Sequence, residues 1–485
     1  MAGQPRGAVK GREGSMKEQY DLAIIGAGPG GYVAAIRAAH KNLAVLLIEK
    51  DEVGGTCLNR GCIPTKTLIH SADLYRELGH ASEIGLVVDD PGYDLDKMYA
   101  RKNAVVDQLR GGIEQLVKAN KIDLIHGTGQ VTASGRVRIV TGDGETAVQA
   151  EHIIVATGAR PAKPPVPGMD LPGVITSDEL LAKPPLDCRR ITIIGGGVIG
   201  VEFASVFGSL GIEVTLIEAM DRLLPTLDKE ISQNLAMIFK RRGIRMLTGA
   251  RVEKIEQSAA GLTCHYLVKD TAGAAESDLI LVATGRRANA ETVFAEGCNI
   301  ELDRGSIPVN GQFETCIPKV YAIGDVIKNG IQLAHVASAQ GLATVSHICG
   351  EESEIDLGSV PSCIYTDPEI AVVGLTAEQA EEQGVATVTG KYVMTGNGRS
   401  IIAMQDRGFI KVVAEAGTER ILGAQLMCAR ATDLVSEFAT AIVNRLTVRD
   451  LERVIRPHPT FCEGVTEAIE SFHGMATHIT PPKTR

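Results

Sequence analysis

Two copies of one glycine pattern constrain this chain more than anything else in it. Gly26-Ala27-Gly28-Pro29-Gly30-Gly31 follows an apolar run at 20–25, and Gly195-Gly196-Gly197-Val198-Ile199-Gly200 follows another at 191–194. Each is succeeded by a helical stretch (32–41 and 201–210), then by a second apolar strand (44–48 and 213–217). Each second strand ends in an acid, Glu49 and Glu218, placed 23 positions after the first glycine, since 49 − 26 equals 218 − 195. One such pattern is weak by itself. Two in register predict two dinucleotide-binding modules. Gly26 and Gly195 would make the tight turn, Gly28 and Gly197 would let the backbone approach a pyrophosphate, and Gly31 and Gly200 would let helix pack on strand. The helix N-terminus would face the phosphates, and the acid would hold a ribose hydroxyl. Each module also closes on Ala-Thr-Gly after a buried strand, at Thr157-Gly158 and at Thr284-Gly285.

Directly after the first module stands Gly-Gly-Thr-Cys-Leu-Asn-Arg-Gly-Cys-Ile-Pro-Thr-Lys, residues 54–66. Cys57 and Cys62 lie five positions apart with a glycine between them. Such a pair closes a small ring with little chain movement, which suits redox turnover better than stapling a fold. A helix is expected over 67–78, and a thiol near its start would be favoured as the thiolate. A dithiol one short connection from a nucleotide site can reach the ring of a bound cofactor. That adjacency suggests FAD in the first module and a nicotinamide in the second. Glu218 favours NAD over NADP, because a carboxylate repels a 2′-phosphate. Arg222, four residues on, tempers that preference.

The remaining features exclude more than they assign. A net charge of −10, no Trp and 4% aromatic residues argue against a nucleic-acid partner. No apolar run reaches the length of a membrane span. Residues 1–19 carry basic side chains without an apolar centre and are read as a disordered leader. The ten cysteines are too sparse for a disulfide scaffold, and apart from the first pair their spacings suggest neither bridges nor a metal site. A reducing, cytoplasmic setting is expected. Residues 70–120 read as mostly helical, clearest at 105–117, and 122–140 as strands with turns. A proline cluster, Pro161, Pro164, Pro165, Pro167, Pro172, Pro184 and Pro185, is the best boundary signal in the chain. A strand ending in Gly324-Asp325 and a helix over 333–349, carrying His335 and Gln340, follow. From about 355 the texture changes to short strands (409–413, 421–427) and an amphipathic helix (434–446). Pro457-His458-Pro459-Thr460-Phe461-Cys462-Glu463 then offers a base five residues from a carboxylate, beside two prolines that shape the turn. His473 and His478 lie in the tail without such a setting.

Taken together, the string at 54–66, the paired fingerprints, Gly324-Asp325 and the His458…Glu463 motif resemble the class-I flavin disulfide reductases, and within them the lipoamide-oxidising branch. The likeness runs from about residue 20 to 467, with every landmark in order. It implies an α/β fold of two Rossmann-like dinucleotide-binding domains (FAD and NAD) plus a C-terminal α+β dimerisation domain. The expected division is 1–19 leader, 20–165 FAD domain, 166–286 NAD domain, 287–355 FAD domain resumed, and 356–485 dimerisation domain. It also implies that Asp325 binds the ribityl chain, that Lys66 lies beside flavin N5 paired with Glu202, and that Cys57 is the interchange sulfur with Cys62 nearer the flavin. His458, steadied by Glu463, would deprotonate a dihydrolipoyl thiol at the partner subunit's disulfide, making the homodimer obligatory. The family often has Glu at Gln340, which leaves that residue's role open. It often has Ser at Cys462 and another residue at Arg456; neither change is expected to touch the chemistry. No lipoyl domain is recognisable, so the lipoyl carrier would be a separate protein of a multienzyme complex.

Sister reductases of glutathione-type disulfides generally use NADPH, which Glu218 opposes. Mercuric reductases usually carry a C-terminal cysteine pair, absent from 473–485. Single-cysteine flavin oxidases lack the second thiol. A non-enzymatic subunit would not require a dithiol together with His458 and Glu463.

Overall fold

The computed structural model describes residues 17–133, 135–182, 188–258 and 261–480. Most of the expected leader, together with Pro184 and Pro185 of the proline cluster, lies outside the described residues. The chain divides into two compact units: residues up to 63 with 104–160 and 286–355, and residues 64–103 with 161–285 and 356 onwards.

The first unit is built on a parallel sheet in the order Asp123–His126, Val45–Glu49, Gln19–Ile25, Gly144–Val155, Val320–Ala322. Val45–Glu49 is buried at every position, as a parallel strand covered on both faces must be. Gly144–Val155 joins the parallel and antiparallel parts of one seven-stranded sheet. Its C-terminal half pairs with Gln19–Ile25, and its N-terminal half turns antiparallel onto Arg136–Thr141 and, beyond it, Thr128–Val131. Two helices, Pro29–His40 and Ala334–Ile348, pack closely because glycine permits it: a Cβ on Gly341 would stand 2.7 Å from the carbonyl oxygen of Gly30.

The second unit repeats that plan. Its parallel sheet runs Arg245–Thr248, Glu213–Glu218, Arg190–Ile194, Leu279–Val282, Val174–Thr176. It too carries an antiparallel three-stranded annex, Ala250–Ser258, Gly261–Val268 and Thr271–Ser277. The C-terminal part is a five-stranded antiparallel sheet, Ser362–Ile364, Ile370–Gly374, Ile421–Met427, Phe409–Glu415, Thr387–Val393. The helices Ala431–Val443 and Glu463–Glu470 bury Val435, Phe438, Val465 and Ile469 in the core of that sheet.

Helices begin earlier than the periodicity suggests. The fingerprint helices start at Pro29 and Val198 rather than at 32 and 201, and the helix expected from 67 starts at Cys62. The cause is common to all three. First-turn N–H groups have no intrahelical partner, so glycine and proline there cost little and hide the helix start from a pattern reading.

In both modules the third glycine of the fingerprint sits against the first. A Cβ on Gly31 would lie 1.8 Å from the carbonyl oxygen of Gly26, and one on Gly200 would lie 1.8 Å from that of Gly195. Backbone must move to admit either. Gly200→Ala is expected to destabilise the protein by about 1–3 kcal/mol, read as a lowered urea midpoint, and an unchanged midpoint would contradict the close-contact account.

Candidate active site

The first turn of each module is held by its own acid. Glu49 Oε2 accepts from the Ala27 N–H at 2.7 Å, and its Oε1 accepts from that of Asp51 at 2.9 Å. Glu218 does the same to Gly196 at 2.5 Å and Met220 at 2.7 Å. Both carboxylates are buried at a strand end. The sequence assigns these acids to a ribose; the structure adds that they pin the glycine loop, with lone pairs left over for a hydroxyl. Gly26 and Gly195 adopt φ of +105° and +111°, which side chains rarely tolerate. At Gly28 a Cβ would meet only Gly55 Cα at 3.9 Å, and at Gly197 nothing within 4 Å. No side chain caps the helix that either one opens. Each loop therefore presents open space before a helix N-terminus, which suits a pyrophosphate.

The redox string is pressed onto the first loop. Gly54 N–H donates to Ala27 O at 2.9 Å, and a Cβ on Gly55 would stand 2.7 Å from Gly28 Cα. This is why two glycines precede the dithiol. Cys57 lies in the short helix Gly55–Arg60 and is half-buried; Cys62 is exposed and opens the helix Cys62–Leu78. Cys62 thus occupies the helix end where a thiolate is favoured.

Thr157 and Gly158 are tied to the returning chain. Thr157 Oγ1 donates to Asn289 O at 2.8 Å, and Asn289 N–H donates to Gly158 O at 2.9 Å. Gly285 O accepts from Ala162 N–H at 3.0 Å. Gln340, whose role the sequence leaves open, is buried, and its Oε1 accepts from the Gly324 N–H at 2.7 Å. A neutral amide carbonyl does this as well as a carboxylate. Burial pushes the Asp325 carboxyl up from its ordinary range, against the opposing pull of the Arg286 guanidinium. Arg222 donates from Nη2 to Pro225 O at 2.8 Å.

Lys66 and Glu202 meet. Lys66 Nζ lies 2.9 Å from both carboxylate oxygens of Glu202, which is buried. Glu202 Oε1 also accepts from the Tyr365 N–H at 3.0 Å, and Lys66 Nζ stands 4.8 Å from the centre of the Tyr365 ring. The sequence does not single out Tyr365, because its contribution is a backbone N–H and a ring face.

His458 and Glu463 also meet. His458 Nδ1 lies 2.8 Å from Glu463 Oε1, and Glu463 Oε2 accepts from the Thr460 N–H at 2.8 Å. Burial alone would raise the Glu463 carboxyl, but Thr460 and His458 outweigh it and hold the group below its ordinary range. With Nδ1 on a carboxylate, Nε2 is the nitrogen placed to take a proton. The side chain of His458 is 79% exposed, so its direction rests on Glu463 and on the backbone of its loop. The expectation for the tail needs correction. His473 Nδ1 lies 2.7 Å from Glu452 and its Nε2 lies 2.8 Å from Glu419; His478 Nδ1 lies 2.7 Å from Glu467. Hydrogen bonds to these carboxylates raise both imidazoles. The partners are 11 to 54 positions away, beyond any local spacing rule.

Among the described residues there is no cluster of His, Cys, Asp or Glu fit to hold a metal ion, and no helix long and apolar enough to cross a membrane.

Paired nucleotide loops, an adjacent dithiol and a carboxylate-held histidine define a dinucleotide-dependent disulfide oxidoreductase. Residues 20–341 match the pyridine nucleotide-disulphide oxidoreductase family model and residues 360–469 match that family's dimerisation domain. The chain belongs to this family of flavoprotein disulfide oxidoreductases, whose cofactors are FAD and NAD and which assemble through that domain as homodimers. Two curated relatives carry the name dihydrolipoyl dehydrogenase. One, from Chlamydia pneumoniae, is 40% identical over 97% of this chain and 100% of its own length. The other, from Bacillus subtilis, is 38% identical over 96% and 100%. Among solved structures, LpdA of Mycobacterium tuberculosis superimposes with a TM-score of 0.86 at 28% identity, covering 94% of this chain and 99% of that one. The HOCl-induced flavoprotein disulfide reductase RclA of Escherichia coli gives 0.82 at 29%, covering 93% and 99%.

Glu202 keeps only a backbone N–H if its cation is removed. Lys66→Met is expected to cost about 2 kcal/mol, less than for a fully buried pair because Lys66 is partly exposed. Glu202→Gln should cost less, and chemical denaturation of both at neutral pH checks the order.

Proposed function

We propose that this protein is a lipoamide dehydrogenase: it oxidises dihydrolipoamide, carried on a separate lipoyl protein of a multienzyme complex, and reduces NAD⁺. The observation that carries the reading is the His458–Glu463 pair at 2.8 Å in a chain that also holds the Cys57/Cys62 dithiol beside a nucleotide loop. The named relatives support the substrate. Glu218, a buried carboxylate that would repel a 2′-phosphate, supports NAD over NADP. The division into an FAD domain, an inserted NAD domain and a dimerisation domain, and a cytoplasmic location, belong to the same reading.

In this mechanism His458 Nε2 takes a proton from one substrate thiol, and Glu463 steadies the imidazolium. With the pair oxidised to a disulfide, the thiolate attacks Cys57 Sγ, breaking the Cys57–Cys62 bond and leaving Cys62 as thiolate. The second substrate sulfur, on losing its proton, attacks the first and expels Cys57. Lipoamide leaves, and its two electrons reside on the dithiol. FAD, when bound, supplies a two-electron acceptor that passes hydride to the nicotinamide. Gly26, Gly28, Gly31, Glu49, Thr157, Gly158, Gly324 and Asp325 would hold it, and resemblance alone assigns Lys66 and Glu202 to the same cofactor. Gly195, Gly197, Gly200, Glu218 and Gly285 would hold NAD. Each dimer site would combine the dithiol of one subunit with the His458–Glu463 pair of the other.

The test is turnover of the purified dimer with dihydrolipoamide and NAD⁺, with NADP⁺ in parallel. Turnover with NAD⁺ alone is expected, and a yellow, FAD-loaded protein inert to the dithiol would sink the proposal. His458→Gln should lower the rate by roughly 10²–10⁴-fold, the usual scale for removing a general base.

A further inference from the structure

The loop that carries His458 has one inward anchor. From Glu452 to Pro459 the residues Glu452, Arg453, Val454, Ile455, Pro457, His458 and Pro459 are all exposed, and only Arg456 turns inward, its side chain 3% exposed. Its guanidinium is an ion-pair partner of Glu437 on the Ala431–Val443 helix. It donates to Thr466 Oγ1 at 3.1 Å, three residues past Glu463 on the Glu463–Glu470 helix. It also reaches the carbonyl oxygens of Leu451 at 3.5 Å and Val454 at 3.4 Å, at the end of the Val448–Glu452 helix. One side chain therefore ties three helices to a loop with no apolar anchor of its own. The sequence expectation that Arg456 has no bearing on the chemistry is the point at issue.

We propose that Arg456 is a positioning residue for the His458–Glu463 pair, acting through the loop backbone; the inference rests on the role given above to His458. The loop backbone is otherwise fixed near His458 by Thr460 Oγ1 on Pro457 O at 2.6 Å and by Asn397 Nδ2 on Thr460 O at 3.0 Å. Neither bond reaches the helices that Arg456 spans; the Thr460 N–H on Glu463 Oε2 at 2.8 Å reaches only the first residue of one of them, the Glu463–Glu470 helix. The forked guanidinium matters, since Nη1 faces Thr466 Oγ1 and the two carbonyls while Nη2 meets Glu437, and an ammonium has no second nitrogen to divide between them. Charged groups around this assembly include Glu437 and Glu470 at Arg456, His478 beside Glu463, and Glu467, which holds His478 at 2.7 Å.

The experiment compares wild type, Arg456→Ala, Arg456→Lys, Glu437→Gln and a His458→Gln control in two assays on the FAD-loaded dimer. One is dihydrolipoamide with NAD⁺. The other is NADH with ferricyanide, which bypasses the dithiol and His458. Arg456→Ala is expected to lower dithiol turnover at least tenfold and to leave the ferricyanide rate within twofold. Lys should restore part of the rate, and Glu437→Gln should show a smaller fall of the same kind. Unchanged dithiol turnover, or equal losses in both assays, would overturn the proposal. If Arg456→Ala does not fold, Arg456→Lys and Glu437→Gln decide by the same criteria. Failure of the functional reading itself shows separately, as wild type without dithiol activity or a His458→Gln control that loses none.

Discussion

A buried carboxylate bonded to the backbone of a glycine loop is the interaction on which both nucleotide modules depend. Glu49 and Glu218 each close the gap between the end of the second strand and the turn after the first. A charge at such a site is costly unless it is fully hydrogen-bonded. Here two backbone N–H groups satisfy each carboxylate and fix the loop in return. The glycines follow from that geometry. The turn requires positive φ at Gly26 and Gly195, and the helix that leaves it passes so close that Gly31 and Gly200 have no room for a side chain.

The redox segment is an extension of the same arrangement. Its two leading glycines lie against Gly28 and Ala27, so the dithiol is placed by the nucleotide loop rather than by a core of its own. The other groups follow a second rule, in which a charge is held by a carboxylate that is itself held by backbone. Lys66 rests on Glu202, which accepts from Tyr365. His458 rests on Glu463, which accepts from Thr460. Each acid, oriented by an N–H, in turn directs a flexible cation or imidazole, so the members of each small network reinforce one another.

Much of this was legible along the chain. The repeat of glycines and acids at equal spacing gives both modules, because the geometry that makes them functional is local. His458 and Glu463 are five residues apart and share one turn. The Lys66–Glu202 pair came from resemblance, as 136 positions separate the two. What escaped was long-range or carried by backbone: the N–H of Tyr365, the acceptor role of Gln340, and the carboxylates that meet His473 and His478. Helix starts were misplaced at Cys62, Pro29 and Val198 for one reason, since first-turn residues pay nothing for lacking an intrahelical partner.

The sequence by itself determined the periodic and short-range parts of this protein: two mononucleotide folds, a dithiol, and a histidine with its acid. These are set by local sterics and by spacing within a turn. The tertiary structure alone decided which distant groups meet the same carboxylate, and that Arg456 is buried inside an otherwise exposed loop. Such contacts depend on which helices pack around a position, and no local pattern of residue types encodes that.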